Sequence, residues 1–264
     1  MPVAFVSDFG PMPAFEEDDY TKALEILGQE LPRPDGILAM SGHWDTGNGP
    51  IEATASLLPE TIYDYYGFPR EFYGKKYPCP GNPLLAQEAV NLLLRENIKA
   101  QINPSRGLDH GAWVSISRIY PKADIPVVQL SVPAGQNPEK IFEIGKTLSE
   151  LRKRNILILS CGAPIHNLRR VHFEGKDDPP DSWAAEFDRW LEPQIDAADI
   201  EKLKFYRKTA PHAALAAPTS EHFDPLFFAL GAGLGGKIRR RFHSIRYGNG
   251  LFLIFTIDKT LDGI

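Results

Sequence analysis

The sequence predicts an α/β fold: a mainly parallel or mixed central sheet flanked by helices, with a C-terminal β-hairpin. Three observations carry this expectation. Short apolar runs alternate along the chain with longer segments of helical periodicity, as strands wrapped by helices require. The last two apolar runs are joined by Tyr247-Gly248-Asn249-Gly250, whose Asn-Gly pair favours a tight hairpin turn. The 264 residues, with 22 glycines and 23 prolines scattered along them, suit one large α/β unit with many defined loops. No internal repeat or low-complexity stretch interrupts it, so a single catalytic domain spanning residues 1–264 is expected.

The elements follow in order. The chain enters an apolar strand at once (3–7), ending at Asp8, and a helix follows over about 18–30. Gly36-Ile37-Leu38-Ala39-Met40-Ser41-Gly42 is a buried strand that delivers His43 at its carboxyl end. The helix over 82–97 has Asn82 to cap it, Pro83 to fit its first turn, and Leu84, Leu85, Ala89, Leu92 and Leu93 near helical spacing. Strands at 98–103 and 126–132, a helix at 138–153, a strand at 155–160 and helices at 181–196 and 221–232 complete the alternation. The strands 238–246 and 250–257 form the hairpin.

Composition narrows the function. With 29 basic and 34 acidic residues the net charge is -5, which gives no field to attract nucleic acid or an anionic membrane. The one basic run, Arg239-Arg240-Arg241, reads as the solvated face of a strand. Cys79 and Cys161 lack a Cys-x-x-Cys spacing, which suits a reducing, cytoplasmic setting more than a disulfide framework or a zinc knot. No apolar run approaches a membrane span, and the N-terminus lacks the pattern of a signal peptide. Gly231-Ala232-Gly233-Leu234-Gly235-Gly236 follows a helix instead of a strand, so it is a weak dinucleotide signal, and neither a phosphate loop nor a Gly-x-Ser-x-Gly elbow is present.

The histidines carry the positive signal. Five of seven lie in short motifs at element ends: His43 in Ser41-Gly42-His43-Trp44, His110 in Leu108-Asp109-His110-Gly111-Ala112-Trp113, His166 in Pro164-Ile165-His166-Asn167-Leu168, His222 in Glu221-His222-Phe223, and His212 in Ala210-Pro211-His212. Imidazole is the commonest metal ligand and the side chain best suited to proton transfer near neutral pH. Open α/β sheets place their ligands outside the carboxyl ends of their strands, so Asp8, His43 and His166 at three such ends, with His222 opening a helix, read as a metal-dependent active site. A lone buried histidine is more often a satisfied core residue, and a strand-ending aspartate is often a turn former or helix cap. His172, His212 and His243 are expected to be surface or structural residues.

At these residues the chain resembles the class III extradiol dioxygenase superfamily, and within it the 4,5-DOPA extradiol dioxygenase-like group. The resemblance covers nearly the whole chain. It runs in order through Ser41-Gly42-His43-Trp44, Thr61-Ile62-Tyr63-Asp64-Tyr65-Tyr66-Gly67-Phe68-Pro69, Tyr77-Pro78-Cys79-Pro80-Gly81, Arg106-Gly107-Leu108-Asp109-His110-Gly111-Ala112-Trp113, Ile125-Pro126-Val127-Val128-Gln129-Leu130-Ser131, His166-Asn167-Leu168-Arg169 and Glu221-His222. It implies a non-haem metal, Fe(II) with Zn(II) as the alternative, acting on a small aromatic diol and dioxygen. His43 and His222 match ligand positions. Where related proteins commonly carry Ser-His-Gly, this chain has Ser7-Asp8-Phe9-Gly10, and Asp8 would complete a site of two histidines and one carboxylate. The motifs of His166 and His110 match acid/base and substrate-binding positions: His166 is expected as the base that ionises the catechol, and His110 as a donor to dioxygen or a substrate oxygen. Ala216-Ala217-Pro218 lacks the histidine that relatives often carry before the proline. Arg169 or Arg106 would meet a substrate carboxylate, and Trp44, Tyr65, Phe68 and Trp113 are candidates to line an aromatic pocket. The rival readings are a metal-dependent hydrolase on the same scaffold and a pseudoenzyme or subunit impaired by the Asp8 exchange.

Overall fold

The computed structural model describes residues 1–258; residues 259–264 of the expected domain lie outside the described residues. One mixed sheet of eight strands has the order β4-β3-β5-β2-β6-β1-β8-β7. These are β1 (Val3–Ser7), β2 (Gly36–Asp45), β3 (Ile51–Thr54), β4 (Ala100–Asn103), β5 (Val127–Val132), β6 (Ile156–Gly162), β7 (Lys237–Arg246) and β8 (Gly250–Asp258). The central strands β5, β2, β6 and β1 run parallel, while β8 is antiparallel to both β1 and β7. The hairpin therefore extends the sheet beyond β1.

Strand side chains alternate between two cores, as a period of two demands. Val3, Phe5, Leu38, Met40, Ile156 and Ile158 face one. Ala4, Val6, Ile37, Ala39, Leu157 and Leu159 face the other. The first core is covered by α2 (Pro83–Arg95), α4 (Pro138–Leu148), α5 (Ser182–Asp196) and α9 (Asp224–Ala232), and the second by α1 (Asp19–Glu30) and α3 (His110–Ile119). Three one-turn helices, α6 (Ile200–Leu203), α7 (Tyr206–Thr209) and α8 (Ala213–Ala216), connect α5 to the segment before α9. No helix among the described residues is long and apolar enough to cross a membrane.

Local chemistry explains the boundaries. Asp18 and Thr21 form a reciprocal capping box at the start of α1, and Asn82 accepts from Leu85 N at the start of α2. The segment expected as one helix over 138–153 divides at Leu148 into α4 and a 3-10 turn, which ends at left-handed Asn155. The segment at 221–232 becomes helical only from Asp224, with Pro225 in the first turn, so Glu221 and His222 sit in the turn before α9. Strand β3 and helix α3 are not among the elements expected from sequence, nor are the one-turn helices α6, α7 and α8. Strand β3 has only four residues, too few to show periodicity. Helix α3 opens with His110-Gly111, but Asp109 accepts from Ala112 N at 3.2 Å and caps it.

Arg239, Arg240 and Arg241 lie on β7, the sheet edge, and pair with Asp258, with Glu192 and Asp196, and with Glu30. Charge on an edge strand discourages pairing with another chain, in keeping with a solvated face.

Phe5 and Phe255 are register partners across β1 and β8, and their rings stack at 5.0 Å with a 7° interplanar angle. Because both are fully buried, Phe255→Ala is expected to cost about 3–5 kcal/mol. Urea unfolding should show a lower midpoint at unchanged slope; an unmoved midpoint would mean that the β1–β8 seam does not bear on stability.

Candidate metal centre

Three strand ends build the site. Strands β2, β6 and β1 are neighbours and parallel, so their carboxyl ends open on the same side of the sheet. Asp8 follows β1 and is tied to it by Asp8 N donating to Gly162 O at 3.0 Å. His43 lies inside β2, which runs on to Asp45, at an irregularity where the pairing with β5 shifts between Met40 and Asp45. Such bulges re-aim side chains beside active sites, and Ser41 Oγ accepts from His43 N at 3.2 Å within this one. His166 follows β6 through Ala163-Pro164-Ile165.

His222 reaches the same point from the far end of the chain. Its carbonyl accepts from Ala163 N at 2.8 Å. The contact requires backbone to lie on backbone: a Cβ at Gly162 would stand 2.6 Å from His222 O, and one at Gly42 would stand 2.7 Å from Glu221 O. Glycine at both positions permits the Glu221-His222 turn to seat against the strand ends.

The side chains converge. Asp8 Oδ1 is 3.1 Å from His43 Nε2, and His43 Nε2 is 3.2 Å from His222 Nε2. One ligand atom from each of Asp8, His43 and His222 lies within 4.8 Å of the others. Ligands at right angles around an ion with bonds of about 2.1 Å stand about 3 Å apart, so the spacing suits a metal. The second Asp8 oxygen, Oδ2, is buried and has no hydrogen-bond partner. Since an orphaned buried carboxylate oxygen is costly, this atom is a further sign that a cation belongs there. Gly111 leaves it room, because a Cβ there would approach Oδ2 to 2.4 Å.

Around this trio stand the other candidates. The His166 ring stacks on His222 at 3.8 Å between centroids, with Phe9 at its edge 5.5 Å away. Burial and the neighbouring His222 push its pKa well below the ordinary imidazole value, so it stands neutral. His110 is the first residue of α3, with its ring 3.9 Å from that of His43 and 5.3 Å from Tyr65. Arg169 lines a cavity of about 670 Å³ together with His166 and Glu221. Arg106 instead stacks on Trp44 and stands 3.8 Å from Asp109. Of the four aromatic candidates, Tyr65 is the one against a site histidine; Phe68 packs on Tyr65 and Phe72, and buried Trp113 donates to Ile62 O at 2.9 Å. His172, His212 and His243 lie elsewhere, pairing with Asp178, Glu186 and Asp188.

Two partners were not singled out from sequence. Asp64 Oδ1 accepts from both the backbone N and Nδ1 of His110 at 2.9 Å, and its Oδ2 stands 3.6 Å from His43 Nδ1. Buried Gln129 bonds Asp109 twice, through its carbonyl oxygen to Asp109 N and its amide to Asp109 Oδ2, and so fixes the start of α3. Both residues lie in motifs quoted for the family resemblance, but nothing in their spacing shows what they touch.

Residues 7–251 match the family model described as the catalytic LigB subunit of aromatic ring-opening dioxygenase. The chain belongs to this family. It is 37% identical to the Escherichia coli K12 protein named 4,5-DOPA dioxygenase extradiol, over 88% of this chain and 85% of that one, and 36% identical to the Beta vulgaris protein of the same name, over 86% and 85%. A crystal structure of an uncharacterized Escherichia coli K12 protein is 35% identical and superposes with a TM-score of 0.83, covering 98% of this chain and all of that one. The matched stretch takes in Asp8, His43, Asp64, His110, His166 and His222. The family and its named relatives are those of ring-cleaving dioxygenases, and the chain is such an enzyme.

Without metal, the Asp8–His43 contact has a signed pH dependence. Burial opposes charge on both, but their attraction and hydrogen bond hold Asp8 well below the carboxylate range and lift His43 from 6.5 to about 9. A raised histidine stabilises fully below its unfolded value and loses this as pH rises through the folded one. Metal-free protein in chelator should therefore lose thermal stability between pH 6.5 and about 9, and His43→Gln should lose less over the same interval. Parallel curves for the two proteins would show that the pair does not form.

Proposed function

We propose that this protein is a non-haem, metal-dependent extradiol dioxygenase that opens the ring of a catechol-like substrate beside its two hydroxyls, with Asp8, His43 and His222 as metal ligands. The observation that carries this is the convergence of those three side chains with Asp8 Oδ2 left unpartnered. Two imidazoles and one carboxylate form the facial set typical of ferrous oxygenases, which favours Fe(II), with Zn(II) second. On this proposal residues 1–264 act as one catalytic domain.

When bound, the metal would supply Lewis acidity to the catechol oxygens and electron transfer towards dioxygen. The protein's own groups manage protons and orientation. Neutral His166, in the wall of the cavity and stacked on His222, is suited to take a proton from a catechol hydroxyl. His110 stands on the other side of His43 as the second polar contact for a reacting oxygen. Arg169, lining the cavity with His166, would meet a substrate carboxylate. The relatives' name, 4,5-DOPA dioxygenase extradiol, supports a carboxylate-bearing catechol. Pro218 lies in that wall, and Ala217 stands where relatives often carry a histidine, a difference that bears on substrate contacts.

The Asp8 exchange favours a retained metal, since a carboxylate supplies an oxygen donor where a histidine would supply a ring nitrogen. His43→Ala and His222→Ala should each abolish stoichiometric metal binding with the fold preserved. Asp8→Ala should weaken binding, and Asp8→His should keep metal while shifting preference from iron towards zinc. Competition titrations with both ions check this; equal affinities in the parent and the Asp8 variants would remove Asp8 from the centre and favour a pseudoenzyme.

His166→Ala should retain metal yet lose about 10²–10⁴-fold in turnover of a catechol that the parent oxidises. Oxygen uptake reads the loss. Parental turnover in the variant would make His166 structural and require another base.

A further inference from the structure

Asp64 lies in the loop after β3, far in sequence from every side chain it serves, yet it is firmly placed. Ile62 N donates to Leu108 O at 2.8 Å and Leu108 N to Glu60 O at 2.8 Å, so residues 60–62 are zipped to the segment that leads into α3. Trp113 Nε1 adds a bond to Ile62 O at 2.9 Å. Two residues on, the Asp64 carboxylate meets two rings at once. Oδ1 takes the backbone N–H and Nδ1 of His110, both at 2.9 Å, and Oδ2 stands 3.6 Å from Nδ1 of His43, a charge contact longer than a hydrogen bond. His43 uses its opposite nitrogen, Nε2, towards Asp8 and His222.

We propose that Asp64 is the positioning residue of the centre, a single carboxylate that sets the tautomer and ring orientation of both His43 and His110. An ionised carboxylate only accepts, so the ring nitrogen facing it carries the hydrogen. His110 then has its lone pair on Nε2, and His43 has its own there once a metal replaces the proton that its Nε2 shares with Asp8 Oδ1. For His43 that lone pair faces the proposed metal position, and a partner on the remote nitrogen raises the basicity of a ligating imidazole. For His110 the consequence is a reversal of role: with Nδ1–H committed to Asp64, Nε2 is the nitrogen left to accept a proton from a substrate hydroxyl, and it donates only after it has taken one. One residue thus tunes metal hold on one ring and proton traffic on the other.

The His43 half rests on the proposed ligation by Asp8, His43 and His222, whereas the His110 half does not, and the test separates them. Histidine nitrogen NMR on the full-length protein above about pH 8, where an ordinary imidazole is neutral, reads tautomers with and without zinc. His110 should show Nδ1–H in both states, and His43 should show Nδ1–H with zinc bound. In Asp64→Asn the amide oxygen keeps the backbone N–H and Nδ1–H of His110 while the amide nitrogen, a donor, faces Nδ1 of His43; His110 should stay Nδ1–H and zinc affinity should fall about 10–100-fold. An Nε2–H His110 in the parent, or an Asp64→Asn variant that binds zinc as tightly as the parent, overturns the proposal. The parent's His110 signature decides the point even if the variant fails to fold. A parent with Nδ1–H His110 that bound no zinc would sink the ligand assignment while upholding Asp64's hold on His110. Zinc binding and both tautomers as expected, without oxygen uptake by the iron-loaded protein on any catechol, would uphold the whole inference and sink the proposed reaction.

Discussion

The site is organised around a buried negative charge at the end of a central strand. Asp8 is nearly inaccessible, one of its oxygens has no hydrogen-bond partner, and its other meets His43. A carboxylate in that position is tolerable only beside positive charge. A proton shared with His43 can supply it without metal; a divalent ion held by Asp8, His43 and His222 would supply it better, releasing that proton as it binds. The surrounding features follow from this requirement. Gly111 gives the carboxylate room, Gly42 and Gly162 let the His222 turn lie against the strand ends, and the bulge in β2 turns His43 inward.

The fold makes the requirement affordable. β1, β6 and β2 are buried on both faces, so their carboxyl ends are fixed by two cores at once. The proposed ligands Asp8 and His43 are thereby held without a disulfide, both cysteines being free and buried. Other parts of the site come from connections: Asp64 from the loop after β3, His166 after β6, and the cavity wall from the residues around α8. Strand ends hold Asp8 and His43 of the proposed metal ligands, and the turn before α9 supplies His222.

Much of this was legible in the sequence because strand ends are. Asp8, His43 and His166 each follow or close an apolar run, and an alternating α/β pattern puts such ends on one side of a sheet. His222 was legible as a residue near a helix start, though Pro225 delays the helix and leaves it in a turn. What stayed hidden depended on distance. Asp64 sat in a quoted motif, but its bond to His110 spans 46 residues, and no periodicity records such a pairing. Helix α3 was missed because His110-Gly111 is a weak helical opening, which tertiary packing of Trp113 and Ile116 and the Asp109 cap override. Arg106 and Arg169 were equal as sequence candidates; their separation into a stacked arginine and a cavity arginine is a property of the fold alone.

The central claim is that the Asp8, His43 and His222 centre performs oxygen insertion into a catechol. The most direct measurement is anaerobic reconstitution with ferrous iron, followed by turnover of a carboxylate-bearing catechol under isotopically labelled dioxygen, with the product analysed by mass spectrometry. The account predicts iron-dependent oxygen uptake and a ring-opened product that retains both labelled atoms. A product that carries no label from dioxygen would indicate hydrolysis, and tight iron binding without oxygen uptake across a panel of catechols would contradict the claim outright.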